Sequence, residues 1–224
     1  MKLRYLGHSG VQVLVDGHEV VFDPFVTQNP RAGVKLEELQ PEAVLITHAH
    51  GDHWGDTPEL AKRAGALVVG TAEVAAYAGK LGLRSHAMNI GGSRALPFGR
   101  LTLTPAWHSS SFPDGTYGGM PTGIVLESGG KRIYHAGDTA LFSDMRLIGR
   151  RPLDLAFVPI GDNFTMGPED AVEAVKLLNP RYVVPVHYDT FPLIAQDAAA
   201  FKREVELSCG TTCVVLAPGE EVSL

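Results

Sequence analysis

Short alternating segments open the chain. Positions 2–6, 11–15 and 19–23 interleave apolar with polar side chains at the period of a half-buried strand. Asp16-Gly17, between the second and third, is a tight-hairpin dipeptide. After a loop containing Pro, Gly and Asn, Ala43-Val-Leu-Ile-Thr47 shows no alternation, the pattern of a strand covered on both faces. Asp56-Thr-Pro-Glu59 has capping-box spacing with Pro in the first turn, which predicts a helix to about Ala64. A strand at Leu67–Val69 and a helix at Ala72–Leu81 follow. Leu101–Thr104, Thr122–Glu127 and Arg132–His135 then read as strands between Gly-, Pro- and Asp-containing turns. Toward the end, strands at Leu155–Pro159 and Arg181–Val186 flank a helix at Pro168–Leu178, whose Ala171, Val172, Val175 and Leu178 share a face. A helix over about 194–206 leads to a closing strand at Val214–Leu216. Two groups of strands with interspersed helices fit two mixed sheets with helices outside, in αββα layers, though other layerings accommodate the same pattern. With no repeat and no low-complexity linker, one domain over 1–224 is expected.

Composition narrows the function classes. The 224 residues are 45% hydrophobic and 20% charged, as in a folded globular protein able to bury a sizeable core. A net charge of −6 argues against a surface that holds nucleic acid by bulk attraction. It leaves room for a local basic pocket, and Arg146, Arg150 and Arg151 read either as such a cluster or as a solvated helix end. No apolar run reaches the roughly 18 residues of a membrane span. The N-terminus lacks the apolar centre of a signal peptide, so a cytoplasmic location is expected. Cys209 and Cys213, four apart with no His nearby, read as free structural thiols.

The informative segment is His48-Ala-His-Gly-Asp-His53, directly after the buried strand. Its three His and one Asp at these spacings arise by chance in roughly one in a thousand chains of this composition. Imidazole and carboxylate at the end of a rigid strand are suited to Zn, Mn, Fe or Ni. Elsewhere, His108, His135 and His187 each end or follow an apolar strand, and Asp138 lies in a Gly-Asp-Thr turn that alternatively caps a helix near Leu141. His18 and His86 read as ordinary histidines beside a turn and in a polar connection.

The motif His48-x-His50-x-Asp52-His53 resembles that of the metallo-β-lactamase superfamily, and the other landmarks follow in that family's order over essentially the whole chain. Asp23 in Phe22-Asp-Pro24, His108, Asp138 in His135-Ala-Gly-Asp-Thr139 and His187 after Tyr182-Val-Val-Pro-Val186 carry it. Gly7-His-Ser-Gly10, Asp23-Pro-Phe25 and Ile160–Gly167 are similar to a branch of metal-dependent hydrolases related to sugar-phosphate lactonases and phosphodiesterases. The resemblance implies a four-layer αββα fold with metals at one edge between the sheets. It implies two divalent ions, zinc above manganese, nickel or iron. His48, His50 and His108 would hold one, Asp52, His53 and His187 the other, and Asp138 would bridge them with a shared hydroxide. A water between two such ions loses its proton near neutral pH and becomes a nucleophile.

Four further residues have two readings each. Asp23 either orients a metal-bound His or forms a turn before Pro24, and His8 either meets the substrate or is a turn histidine. Asn163 and Thr165 either serve an anion at the N-terminus of the Pro168 helix or belong to an ordinary helix-entry loop. The expected activity is hydrolysis of a small anionic ester, a phosphodiester or a phosphate-bearing lactone. Asp52 would also carry a proton to the leaving group. Nucleic acid and membranes are not expected partners, while self-association is compatible with the sequence. Two other classes compete: a di-iron redox protein of the same fold, disfavoured by the lack of a flavin domain, and a non-catalytic metal binder, disfavoured by the full ligand set.

Overall fold

A computed structural model describes all 224 residues. The first three predicted strands form as an antiparallel meander: β1 (Lys2–Gly7), β2 (Gly10–Val15) and β3 (His18–Phe22). β4 (Ala43–Leu45) pairs parallel with β3, and β5 (Leu67–Thr71) and β6 (Ser85–Met88) extend the sheet in parallel. Between them lie α1 (Gly51–Trp54), α2 (Thr57–Ala64) and α3 (Ala72–Lys80). The second sheet contains the antiparallel run β7 (Ser93–Leu96), β8 (Gly99–Pro105), β9 (Thr122–Ser128) and β10 (Lys131–His135). It continues in parallel through β11 (Leu153–Pro159), β12 (Pro180–Val186) and β13 (Thr212–Cys213). The remaining helices are α4 (Met145–Gly149), α5 (Pro168–Leu178) and α6 (Ala198–Ser208), and β14 (Glu221–Ser223) returns to pair with β1. Seven strands thus form each sheet, in the orders β14-β1-β2-β3-β4-β5-β6 and β13-β12-β11-β10-β9-β8-β7.

Strand parity sorts the core into three layers. Val20, Phe22, Ala43 and Leu45 face inward to meet Leu101, Leu103, Ile124, Phe157, Val184 and Val186 of the other sheet. The alternate positions Val21, Val44, Ile46 and Val68 pack outward under α2 and α3. On the opposite side Val125, Ala156, Val158 and Val183 pack under α4, α5 and α6. β4 is apolar throughout because it is covered on both faces, and the molecule is an αββα sandwich of two mixed sheets.

The differences from the sequence reading have local causes. Asp56 precedes α2 as expected, but its carboxylate caps nothing in that helix. It accepts the N–H groups of Val26 at 2.7 Å and Thr27 at 2.9 Å, tying α2 to the loop after β3. The closing strand sits at Thr212–Cys213, not 214–216, because those residues pair with Tyr182 and Val183. The helix expected from 194 starts at Ala198, where Asp197 accepts from the Ala200 N–H; Pro192–Ile194 forms a separate 3₁₀ turn. Cys209 and Cys213 are buried, unpaired thiols. His86 lies within β6, and His18 pairs with Glu42 at 2.9 Å. No helix is long and apolar enough to cross a membrane.

Candidate metal centre

Residues at strand C-termini converge on one edge of the sandwich. His8 follows β1, Asp23 follows β3, and His48 to His53 follow β4; the second sheet contributes His108 beyond β8, Asp138 beyond β10 and His187 directly after β12. Local structure holds them there. α1 is a single turn whose Trp54 N–H donates to the His50 carbonyl at 2.8 Å, and buried Trp54 packs edge-on against Tyr77 and Phe112. Gly55, at φ 37°, passes so close to Pro24 that a Cβ would lie 2.3 Å from its carbonyl oxygen, so only glycine fits. Gly137, at φ 63°, passes Thr47 and Thr122 so that a Cβ would lie 2.8 Å from each, and turns the chain to present Asp138.

The seven sequence-predicted ligands meet in overlapping groups. One donor atom each from His48, His50 and His108 lies within 4.8 Å of the others, as do those of His48, His53 and Asp138, and those of Asp52, His53, His187 and His8. Asp138 is central: Oδ2 lies 3.0 Å from His187 Nε2, 3.6 Å from His108 Nε2 and 4.0 Å from His48 Nε2, and Oδ1 lies 3.3 Å from His53 Nε2. His53 Nε2 and Asp138 Oδ1 are buried with no hydrogen-bond partner, a costly arrangement for polar atoms unless something coordinates them. The donor chemistry and these two orphaned atoms fit divalent ions bound at this edge.

Charge in the ion-free chain follows from the same contacts. Burial raises Asp138, but His187 and His53 outweigh it and hold the carboxyl well below its ordinary range. Burial disfavours charge on His187, yet Asp138 and Asp52 push it up to about 9. His53 is likewise raised despite its burial, by Asp138, Asp23 and Asp52, whereas burial pushes His48, His50 and His108 down. Asp52, opposed by burial, is kept ionised by His53, His187 and His8.

Behind the ligands, Asp23 fixes two imidazoles. Its Oδ2 accepts from His53 Nδ1 at 2.8 Å and from the Thr47 hydroxyl at 2.6 Å, and Oδ1 accepts the Thr47 N–H at 2.9 Å. Thr47, its proton given to Asp23, accepts from His48 Nδ1 at 3.1 Å. Both rings therefore turn Nε2 toward the centre. His8 acts on Asp52 instead. Its Nε2 lies 2.9 Å from Asp52 Oδ2 and its Nδ1 2.8 Å from Thr190 Oγ1. Burial pushes His8 down to about 4 against the pull of Asp52, so the ring is neutral. Ionised Asp52 only accepts, which places the ring proton on Nε2 and makes Thr190 the donor to Nδ1.

The remaining sequence candidates separate. His135 is enclosed, with Nε2 donating to the Ser9 carbonyl at 2.9 Å, Nδ1 accepting from Gly137 at 3.1 Å, and the ring stacked on Phe22; it packs beneath the Asp138 turn. No helix begins near Leu141, since α4 starts at Met145, and Asp138 caps nothing. Asn163 and Thr165 make only local bonds, the Asn163 N–H to Asp162 and the Thr165 hydroxyl to the Met166 carbonyl. Sequence reading missed Thr47, Thr190 and Ser109, whose Oγ lies 3.3 Å from His50 Nε2. Thr47 and Ser109 had adjacency to a histidine as their only signal, and Thr190 had none.

Relatives of the chain agree with this architecture. It matches the beta-lactamase superfamily domain over residues 18–188. It is 57% identical over 225 residues to a UPF0173 metal-dependent hydrolase of Thermus thermophilus, covering 100% of this chain and 99% of that one. Its identity to a UPF0173 metal-dependent hydrolase of Deinococcus radiodurans is 56% over 229 residues, 100% of both chains. Igni18, a metallo hydrolase of known structure from the archaeon Ignicoccus hospitalis, is 42% identical, with a TM-score of 0.92 over 99% of this chain and 97% of that one. The chain belongs to the UPF0173 metal-dependent hydrolases of the metallo-β-lactamase superfamily.

Proposed function

We propose that this metal-dependent hydrolase works with two divalent ions, zinc above manganese, nickel or iron, and cleaves a small anionic ester, a phosphodiester or a phosphate-bearing lactone. The observation that carries the reading is the single cluster of five His and two Asp, with His53 Nε2 and Asp138 Oδ1 buried and unpartnered inside it. His48, His50 and His108 form one donor set; Asp52, His53 and His187 form the other; Asp138, within 4.0 Å of histidines from both, is the residue to be shared. Its negative charge offsets the repulsion between two dications. Bound ions would supply Lewis acidity at the carbonyl or phosphoryl oxygen and ease deprotonation of the attacking water.

The chain's own groups do the rest. Asp23 and Thr47 keep His53 and His48 in the Nδ1–H tautomer, which leaves the Nε2 lone pair facing the centre. His8 holds Asp52 by Oδ2, and Asp52 Oδ1, with no protein partner on a side chain 30% exposed, is free to take up the proton lost by the attacking water and pass it to the leaving group. The reading places the enzyme in the cytoplasm, supported by the two unpaired thiols.

Metal analysis of protein reconstituted with Zn²⁺, Mn²⁺, Ni²⁺ or Fe²⁺, coupled to hydrolysis of phosphodiesters, lactones and thioesters, tests it. Two ions per chain with turnover that disappears in His50→Ala is the expected result. Saturation at one ion would refute the binuclear mechanism.

A further inference from the structure

The loops around the metal centre have a one-sided composition. Residues 46–56, 106–121, 136–144, 160–167 and 187–197 contain no Lys or Arg, although they carry Asp56, Asp114, Asp144, Asp162, Asp189 and Asp197 besides the predicted ligands. Arg31, in the loop after β3, lines a cavity of about 300 Å³ with His8 and Thr190 but with none of the seven predicted ligands. The same loops hold six of the molecule's ten exposed large hydrophobic side chains: Trp107, Tyr117, Met120, Phe164, Phe191 and Leu193. Their concentration in one set of loops is the informative feature, because exposed apolar residues scattered singly over a surface are ordinary.

Three of these are one step from the ligands. Trp107, 62% exposed, precedes His108, and its backbone bonds to Thr139 and Ala140 just beyond Asp138. Phe164, 53% exposed, sits in a loop fastened to the same turn by the Met166 N–H on the Thr139 carbonyl. Phe191 has its ring centroid 5.7 Å from that of His8.

We infer that this rim is the specificity surface of the enzyme, and that the substrate is a small ester whose one negative charge lies at the reacting centre and whose remote part is apolar, best an aryl group. The inference rests on the hydrolase reading and narrows it. A phosphodiester bearing an apolar group meets both halves of the site. The charge goes to the ions and the apolar body to Trp107 and Phe164. A lactone with a distant phosphate would set that phosphate among loops with acidic and no basic side chains, and is disfavoured.

Binding can be read apart from catalysis. The chain has two tryptophans, of which Trp54 is buried beside His53, so the part of an emission change that Trp107→Ala removes reports Trp107. With zinc-loaded protein, diphenyl phosphate should bind about tenfold or more tightly than dimethyl phosphate, the order expected from covering one aryl ring. Tryptophan emission should shift to the blue only with the aryl ligand. Trp107→Ala, followed by calorimetry, and Phe164→Ala should each bring the ratio of affinities toward one, whereas Leu207→Ala, on the exposed face of α6, should leave it unchanged. Turnover of bis(p-nitrophenyl) phosphate against methyl p-nitrophenyl phosphate should show the same preference, lying mainly in KM.

Equal affinities, a preference untouched by both rim variants, or faster turnover of a phosphate-bearing lactone than of its neutral parent would each overturn the inference. So would a dimer that Trp107→Ala converts to monomer in sedimentation, which would assign the rim to self-association. Selective binding with no hydrolysis of any ester under any metal would leave the apolar subsite standing and remove the hydrolase reading.

Discussion

The two ends of the second sheet are built from opposite chemistry. Where β8, β10 and β12 finish, His108, Asp138 and His187 converge among aromatic loops without Lys or Arg. Where β8, β10 and β11 begin, Arg100, Arg132, Arg150 and Arg151 line a groove of about 490 Å³ with Glu127, and no histidine is present. Arg132 and Arg151 share Glu127, while Arg100 and Arg150 have no carboxylate partner. Burial and the neighbouring arginines Arg151 and Arg150 push Arg132 down, although Glu127 opposes them. The far groove therefore has volume and charge but no convergent set of donors. Thr104 Oγ1, buried and unpartnered beside that groove, is a lone hydroxyl, whereas at the other end several metal-ligating side chains converge.

The sharpest way to break this contrast is to remove the shared carboxylate. Asp138→Ala should lower affinity for both ions by more than the ~100-fold that marks the upper range for a residue behind the ligands. Metal content after dialysis against a chelator series measures it, and wild-type retention would mean that the ions sit elsewhere. Asp23→Asn should cost less, ~10–100-fold, because it removes no predicted ligand but puts an NH₂ donor in place of one of two accepting oxygens, against either His53 Nδ1 and the Thr47 hydroxyl or the Thr47 N–H. Unchanged affinity there would show that the two rings hold their orientation without it.

A third effect is the pH dependence of ion uptake. In the ion-free chain Asp138 and Asp52 outweigh burial and raise His187 to about 9, and His53 is raised by the same carboxylates together with Asp23. Both rings therefore carry a proton at pH 7 that a bound ion must displace. Apparent affinity should rise from pH 7 to about 9, by about tenfold per unit for each proton displaced, and then rise less steeply once His187 loses its proton unaided. Titration in two buffers of different ionisation enthalpy counts the protons released. Affinity independent of pH would show that both rings are already neutral.

How much of this was legible in the sequence depends on range. The ligand motif after β4 is local, and β4 itself is visible because a strand buried on both faces needs no alternation. Pro168–Leu178 was readable from Pro at its start and one apolar face. β6 and β7 were not, since Ser85-His-Ala-Met88 and Ser93-Arg-Ala-Leu96 are polar, partly exposed strands at the sheet edges, with little apolar surface to impose a period. Asp23 could be placed near the ligands only by family likeness, because its bonds to Thr47 and His53 span 24 and 30 residues. Thr190 reaches His8 across 182 residues, and nothing in either segment announces the other. Side chains from both sheets meet in one cluster, so if the chain is one folding unit, limited proteolysis of the metal-loaded protein should release no stable half. Two independently folded fragments would contradict that.

The smallest expected effect is at the arginine end, and it discriminates between uses of the same charge. Sequence reading left Arg146, Arg150 and Arg151 as either a basic pocket or a solvated helix end. Arg150 and Arg151 follow α4 and precede β11, at the end of the strand remote from the Ile160–Gly167 loop. Arg151 is an exposed partner of Glu127, and Glu127 keeps Arg132 when Arg151 is removed. Surface pairs of this kind contribute about 0–1 kcal/mol, so Arg151→Ala should shift stability by less than about 1 kcal/mol in denaturant unfolding. Arg150, with no carboxylate partner, should matter less still. For an ester with its charge at the metals, kcat/KM of Arg150→Ala and Arg151→Ala should equal that of the unaltered enzyme at both low and high salt. A substrate steered by this groove would instead lose turnover in both variants, most at low ionic strength, where exposed charges are least screened. A salt-dependent loss would mean that the far end takes part in capture, and that the contrast between the two ends is one of division of labour on a single substrate.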